Sequence, residues 1–109
     1  NKYYDGYCKF FLFGDTKDRI PDNIKIFNKI GLAYGFTLDN AYIVDIENNI
    51  EFFLTAVIYS NSNEVMNDNK YDYENVSIPF LSELGRKIYD YELEREKNIL
   101  PNLVWIKNI

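Results

Sequence analysis

Lys29 lies in the stretch FNKIGLAYGF, residues 27–36, where Gly31 and Gly35 follow it closely. This stretch could form either a turn between strands or the wall of an active site. The ordinary alternative is an exposed strand lysine near a turn. Gly31 and Gly35 would then be a bulge and a turn, and the nearby aromatic residues would be packing residues.

Other chemically active residues are scarce in this sequence. It contains no histidine, which excludes His-based metal sites and Ser-His-Asp triads. The single cysteine, Cys8, has no histidine base to activate it, and we expect a buried structural residue within a helix. We expect neither a metal nor a cofactor.

Composition indicates one globular domain over residues 1–109, with residues 94–109 as a candidate extra tail. Hydrophobic residues make up 47% of the chain, which is too many for a disordered protein. The net charge of -5 argues against nucleic acid and anionic membrane partners, because both require positive charge on the protein. No apolar run approaches about eighteen residues, so we expect no membrane span, and we find no export signal in this chain.

Hydrophobic spacing predicts two helices that flank three strands. Aromatic residues at helical spacing predict a first helix over residues 2–13. Alternating patterns predict strands over Ile24–Leu32, Asn40–Glu47 and Ile50–Tyr59, the last apolar on both faces. Asn48-Asn49 suits a two-residue hairpin turn, since Asn tolerates positive φ.

The C-terminal half of the sequence predicts a loop, a helix and an apolar tail. Residues 60–75 are polar and predict a surface loop. Within this loop, oxygen-bearing side chains alternate over residues 67–74, so a calcium site is an alternative to a solvated loop. Ser77-Ile78-Pro79 predicts the start of a second helix. The tail segment Leu103–Ile106 is apolar enough to dock on another surface. The fold class is therefore α+β: an antiparallel three-stranded sheet packed by an N-terminal and a C-terminal helix.

The segment NKIGLAYGFTLDNAYIV, residues 28–44, resembles the third active-site motif of the serine β-lactamase (class A) and penicillin-binding superfamily. In that family a Lys-Thr-Gly or Lys-Ser-Gly strand precedes a Tyr-Gly pair and a second strand that begins near Asn-Asp or Asp-Asn. The matching residues here are Lys29-Ile30-Gly31, Tyr34-Gly35 and Asp39-Asn40. The flanks FGDTKDRIPDNIKIFNKIG and FLSELGRKIYDYE are most similar to serine hydrolases of Bacteroidetes-type bacteria, which implies the bacterial cell envelope as location.

The resemblance implies roles for four residues. Lys29 would supply a cation, Ile30 and Gly31 would contact substrate along a bare strand edge, and the backbone N–H of Leu32 would be an oxyanion donor. It also implies a partial β-lactamase-like fold and an acyl-serine mechanism on a small-molecule or peptide-like amide or ester.

Two features depart from the family pattern. Ile30 replaces the Thr or Ser whose hydroxyl would bind the carboxylate of a β-lactam. No Ser-x-x-Lys motif is present, and Tyr59-Ser60-Asn61 matches the second motif by chance, because it follows the Lys strand. The resemblance therefore implies that this chain is the C-terminal segment of a longer hydrolase. The segment would be inactive alone, and its partner would be the missing N-terminal part. Self-association through an exposed sheet edge is a further candidate interaction.

Two alternatives remain beside the enzyme reading. The chain could be a non-catalytic binding or interaction module that has the same scaffold but no catalytic activity at this site. A small α+β module could carry the motif by coincidence.

Overall fold

The computed structural model describes residues 3–61 and 72–108. It contains three strands and one α-helix: β1 (Ile24–Ala33), β2 (Phe36–Asp45), β3 (Ile50–Tyr59) and α1 (Ile78–Glu94). A π-helical turn, Tyr73–Ser77, leads directly into α1, and a 3-10 helix covers Val104–Asn108. The predicted α+β class, with a three-stranded antiparallel sheet and a C-terminal helix, is confirmed.

The sheet is a simple meander in the order β1-β2-β3, and all pairs are antiparallel. Alternation along the strands divides it into two faces. The inner face packs against α1 and the N-terminal segment, and its buried hydrophobic members are Ile24, Ile26, Ala41, Ile43 and Ile50. The outer face carries an aromatic ladder of Phe27, Tyr42 and Phe53, with ring centroids 6.2 and 4.7 Å apart.

Two hairpin loops fix the strand ends. Tyr34 and Gly35 have φ of 52° and 90°, so they form a two-residue turn with positive φ at both positions. This turn lets β2 begin at Phe36, four residues before the predicted start. The second loop is longer than the predicted Asn48-Asn49 turn, because the Asp45 carboxylate accepts hydrogen bonds from the backbone N–H groups of residues 47 and 48. Asn49 does have positive φ, 55°, as its residue type suggested.

The predicted N-terminal helix is wrong: residues 3–23 form turns and extended segments. Cys8 and Leu12 have φ of 60° and 69°, which interrupts helical geometry and costs on the order of 1–3 kcal/mol each. The backbone N–H groups of Phe10 and Phe11 donate to the Asp39 side chain. Of the aromatic residues in the predicted stripe, Phe10 and Phe11 are buried and Tyr3, Tyr4 and Tyr7 are exposed, so they do not form one buried helical face. Cys8 is exposed, and the expectation of a buried helical cysteine is also wrong.

Helix α1 begins where Pro79 suits the first turn and lies over the inner face. Its Leu81 packs with Phe11 and Ile43 in the main hydrophobic cluster. Arg86 of α1 also binds the N-terminal segment. Its guanidinium donates to the Leu12 carbonyl at 2.7 Å and to both carboxylate oxygens of Asp15 at 2.9 Å.

The C-terminal tail docks on the outer face of the sheet. Leu103 and Ile106 are buried against Val44, and Tyr42 and Ile46 pack around them. The sequence predicted that this segment would dock but not the surface that receives it. The tail covers only the Val44 end of the face, so most of the aromatic ladder remains exposed.

Part of the proposed calcium stretch, residues 67–71, lies outside the described residues, as does part of the predicted loop over residues 60–75. Within ranges 3–61 and 72–108, no group of three or more acidic, Cys or His side chains is arranged to hold a metal ion. No helix in the same ranges has the length and apolar character needed to cross a bilayer.

Candidate functional site

The candidate site lies on β1, an edge strand of the sheet. Ala33 and Phe36 close the two-residue turn, so they exchange backbone hydrogen bonds, and alternate residues of β1 bond to β2 from there. The residues between them direct their N–H and C=O groups to the free edge. Two edge carbonyls have side-chain donors, Lys9 Nζ on Ile26 at 3.2 Å and Lys29 Nζ on Ile30 at 3.0 Å. By the same alternation, the N–H of Leu32 points outward from the edge.

Lys29 is exposed on the outer face of the sheet. Its ammonium donates to the carbonyl of Ile30, its own neighbour in the chain. Across β2 it is aligned with Asn40, whose side-chain oxygen accepts a hydrogen bond from Thr55. The site therefore presents a cation at the strand edge, outside the hydrophobic core, with its ammonium bound to the Ile30 carbonyl.

The other predicted site residues divide between the two faces. Gly31 lies on the outer face, where an added Cβ would come 3.1 Å from Leu38, so close packing of Leu38 also accounts for this glycine. Ile30 is half-buried on the inner face and packs against the main cluster. Leu32 shares the inner face and is exposed. A ligand along the edge would thus have Lys29 and Gly31 on one side and Ile30 and Leu32 on the other.

A polar network beside Lys29 was not predicted from the sequence. Asn28, half-buried on the inner face, donates from Nδ2 to the Cys8 carbonyl at 2.7 Å and to Asp39 Oδ1 at 3.0 Å. Its own Oδ1 accepts a hydrogen bond from Lys9 Nζ at 3.1 Å. Asp39 is fully buried and is aligned with Ile30 across the strands. The signal available in the sequence was that two polar residues occupy the apolar face of paired strands.

Two clefts flank this network along the β1 edge. One, of about 470 Å³, is lined by Lys25, Phe27 and tyrosines of the N-terminal segment. The other, of about 900 Å³, is lined by Ile30, Leu32 and the start of α1. Lys9 lines the first cleft and donates hydrogen bonds to Ile26 and Asn28. The second cleft adjoins the predicted substrate residues.

The described serines do not supply a nucleophile to this site. Ser77 and Ser82 are fully buried, and the Ser82 hydroxyl lies 2.7 Å from the Phe10 carbonyl and 2.9 Å from the Ile78 carbonyl. Ser60 lies after β3, beside Asp72, with its hydroxyl 3.4 Å from the carboxylate. None of these three is followed by lysine at the third position.

Comparisons with family models, curated proteins and solved structures found no match to this chain. The resemblance to the serine β-lactamase superfamily therefore rests on the sequence of the Lys29 segment and of its flanks, and the helix expected before the Lys strand is not formed.

Proposed function

We propose that this chain is the C-terminal segment of a serine hydrolase of the β-lactamase-like superfamily, and that its sheet and helix are part of that fold. The parent enzyme would cleave an amide or ester through an acyl-serine intermediate. One observation carries the proposal: Lys29 and the outward N–H of Leu32 lie on a single exposed edge strand, in the sequence context of the Lys-x-Gly motif.

Each site residue has a distinct role in this proposal. Lys29 attracts an anionic group of the substrate and stabilises negative charge near the reacting carbonyl. Gly31 keeps the outer side of the edge free for an extended substrate. The Leu32 N–H donates to the oxyanion of the tetrahedral intermediate, and losing one such donor typically costs about 3 kcal/mol of transition-state stabilisation.

The nucleophile and its base would come from the N-terminal part of the same hydrolase, which is the proposed partner. The buried positions of Ser77 and Ser82 support this, because neither hydroxyl can reach a substrate. We propose a small-molecule or peptide-like substrate and a location in the bacterial cell envelope. The net charge of -5 makes nucleic acid an unsuitable ligand.

A second candidate is a non-catalytic binding module on the same scaffold. Ile30 favours it, because its half-buried aliphatic side chain packs against the core and has no hydroxyl to offer a substrate carboxylate. In that case the edge of β1 would bind a ligand without converting it.

Labelling by a fluorescent fluorophosphonate, which modifies activated serines, separates these functions. We expect the full-length product of the encoding gene to label at a Ser-x-x-Lys serine upstream of this chain. Lys29→Ala should slow labelling by about 100-fold, whereas Lys25→Ala, on the same strand and face, should leave it unchanged. The isolated 109-residue chain should not label.

Three results would contradict the hydrolase proposal. They are labelling of a serine within this chain, a full-length protein that has no reactive serine, and equal effects of the two lysine substitutions. A full-length protein that binds ligand at β1 but does not label would establish the binding module instead.

A further inference from the structure

The network around Asn28 and Asp39 fastens the N-terminal segment to β1 beside Lys29. Asp39 Oδ2 accepts the backbone N–H groups of Phe10 at 3.0 Å and Phe11 at 3.4 Å, and Asp39 Oδ1 accepts from Asn28. Asn28 in turn binds the Cys8 carbonyl. A segment of four residues, 8–11, is therefore held by two side chains that neighbour the candidate site in the chain and in the sheet.

Both side chains of this network lie next to the candidate site. Asn28 immediately precedes Lys29, and Asp39 is the cross-strand partner of Ile30. The same asparagine accepts a hydrogen bond from Lys9, whose ammonium also binds the Ile26 carbonyl on the strand edge. Lys9 thus occupies the edge at Ile26 and Lys29 occupies the Ile30 carbonyl, so the outward N–H of Leu32 is the group beyond them that a ligand would meet.

We infer that Asn28 and Asp39 are positioning residues: they hold the segment of residues 8–11 against β1 and thereby fix the edge that presents Lys29 and the Leu32 N–H. This inference rests on the proposed hydrolase function, because only in that case does the edge take part in a chemical step. Neither side chain touches the reacting atoms. Their effect reaches the site through the strand backbone, whose displacement by about 1 Å can cost about 100-fold in rate.

The chain contains a matched control for a buried, hydrogen-bonded carboxylate. Asp45 lies on the same strand and face as Asp39, is equally buried and binds several donors, but it sits at the opposite end of the sheet. If the role of Asp39 were only to stabilise the fold, Asp39→Asn and Asp45→Asn would affect the full-length enzyme alike. If Asp39 positions the edge, only its substitution should alter the chemical step.

The test measures fluorophosphonate inactivation of full-length enzyme variants at a temperature where circular dichroism shows each to be folded. We expect Asn28→Ala and Asp39→Asn to lower the maximal inactivation rate by about 10- to 100-fold, with little change in the half-saturating probe concentration. Asp45→Asn should keep the wild-type rate. Equal rates for all three variants, or a loss shared by Asp45→Asn, would overturn the inference.

A second measurement does not depend on activity. Amide hydrogen exchange at Phe10 and Phe11 should accelerate in Asn28→Ala and Asp39→Asn, while exchange at Ile43 in the core should remain slow. Faster exchange with an unchanged inactivation rate would refute positioning and leave the hydrolase proposal intact. A wild-type enzyme that does not label would refute the hydrolase proposal and the positioning role with it, whatever the exchange rates show.

Discussion

At the scale of single residues, Asp45 shows how a buried carboxylate links separate parts of the fold. It accepts hydrogen bonds from Asn23, from Asn48 and from the Tyr89 hydroxyl, the last at 2.5 Å. Burial alone would raise the pKa of Asp45, but hydrogen bonds from Tyr89, Asn23 and Asn48 outweigh it and hold the pKa below its ordinary value of 3.8. The carboxylate thus ties the second hairpin loop and the end of β2 to α1.

This lowered pKa predicts that acid weakens the fold. A carboxyl group with a lower pKa in the folded state contributes stability that is complete above the unfolded pKa and is lost as pH falls through the folded pKa. Tyr89→Phe removes one donor, so the pKa of Asp45 should rise and acid unfolding should begin at a higher pH. At pH 7 the variant should lose about 1–3 kcal/mol of unfolding free energy.

Urea unfolding followed by circular dichroism between pH 2.5 and 7 measures both effects. Tyr91→Phe is the matched control, because Tyr91 lies on the same helix with 63% of its surface exposed. That control should unfold like the wild type. A Tyr89→Phe variant with unchanged stability at every pH would show that the network contributes nothing.

At the scale of elements, the contact between α1 and the N-terminal segment depends on Gly85. An alanine Cβ there would lie 2.8 Å from the Leu12 backbone nitrogen and 2.8 Å from the Phe11 Cβ, closer than real contacts allow. Alanine would gain about 1 kcal/mol in helix propensity, while forced separation of packed elements costs about 1–3 kcal/mol. We expect the steric cost to win, because backbone atoms of the N-terminal segment are among those that must move.

Chemical denaturation of Gly85→Ala therefore tests whether the steric cost exceeds the gain in helix propensity. The expected result is a decrease of up to about 2 kcal/mol in unfolding free energy. Asp90→Ala, an exposed change on the same helix, should stay within about 0.5 kcal/mol of the wild type. A more stable Gly85→Ala protein would mean that α1 is not pressed against residues 11 and 12.

The elements that the sequence predicted well are those whose pattern has a single structural interpretation. The run Ile50–Tyr59, apolar on both faces, predicted β3 with its observed bounds, and Pro79 marked the start of α1. The helix prediction for the N-terminal segment was wrong because Tyr3, Tyr7 and Phe11 repeat every four residues, which is the spacing of a helical face. Its real partner, the Asp39 carboxylate, is distant in the chain and cannot be read from local periodicity.

The candidate site was predicted only as a stretch of sequence. Lys29 lies on an exposed edge strand, and the hydrogen bond between Asn28 and Asp39 beside it depends on strand register. The register of β1 against β2 brings residue 28 close to residue 39. This register follows from the two-residue length of the Tyr34-Gly35 turn. Starting β2 at Asn40 would have placed Asp39 in the loop, which is why the network was missed.

At the scale of the whole molecule, the two edges of the sheet differ in their protection. Lys25 and Lys29 lie on β1, and Lys9 binds its edge, whereas Glu51 is the charged residue of β3. Charged side chains, lysine above all, guard natural edge strands against pairing with other chains. β3 is also apolar on both faces, and Phe53 on its outer face is 80% exposed. The β3 edge is thus the less protected one.

We predict that the isolated chain self-associates through β3. Continuing the alternation across the sheet, residues 51, 53, 55 and 57 direct their backbone groups away from β2, to the outer edge of the described sheet. Antiparallel pairing of two copies about Thr55 would place Phe53 opposite Val57 and Glu51 opposite Tyr59 of the second copy. Aromatic residues opposite β-branched ones are favourable cross-strand pairs, and no like charges meet in this register.

Sedimentation velocity over a range of protein concentrations tests this prediction. The wild-type chain should shift from monomer to dimer as concentration rises, and Val57→Lys should weaken dimerisation by at least about tenfold, because a lysine would face the Phe53 ring and lose hydration. Leu32→Lys makes the same kind of change on the β1 edge and should leave the dimer intact. A chain that stays monomeric throughout, or a dimer lost only in Leu32→Lys, would show that β3 is not the association surface.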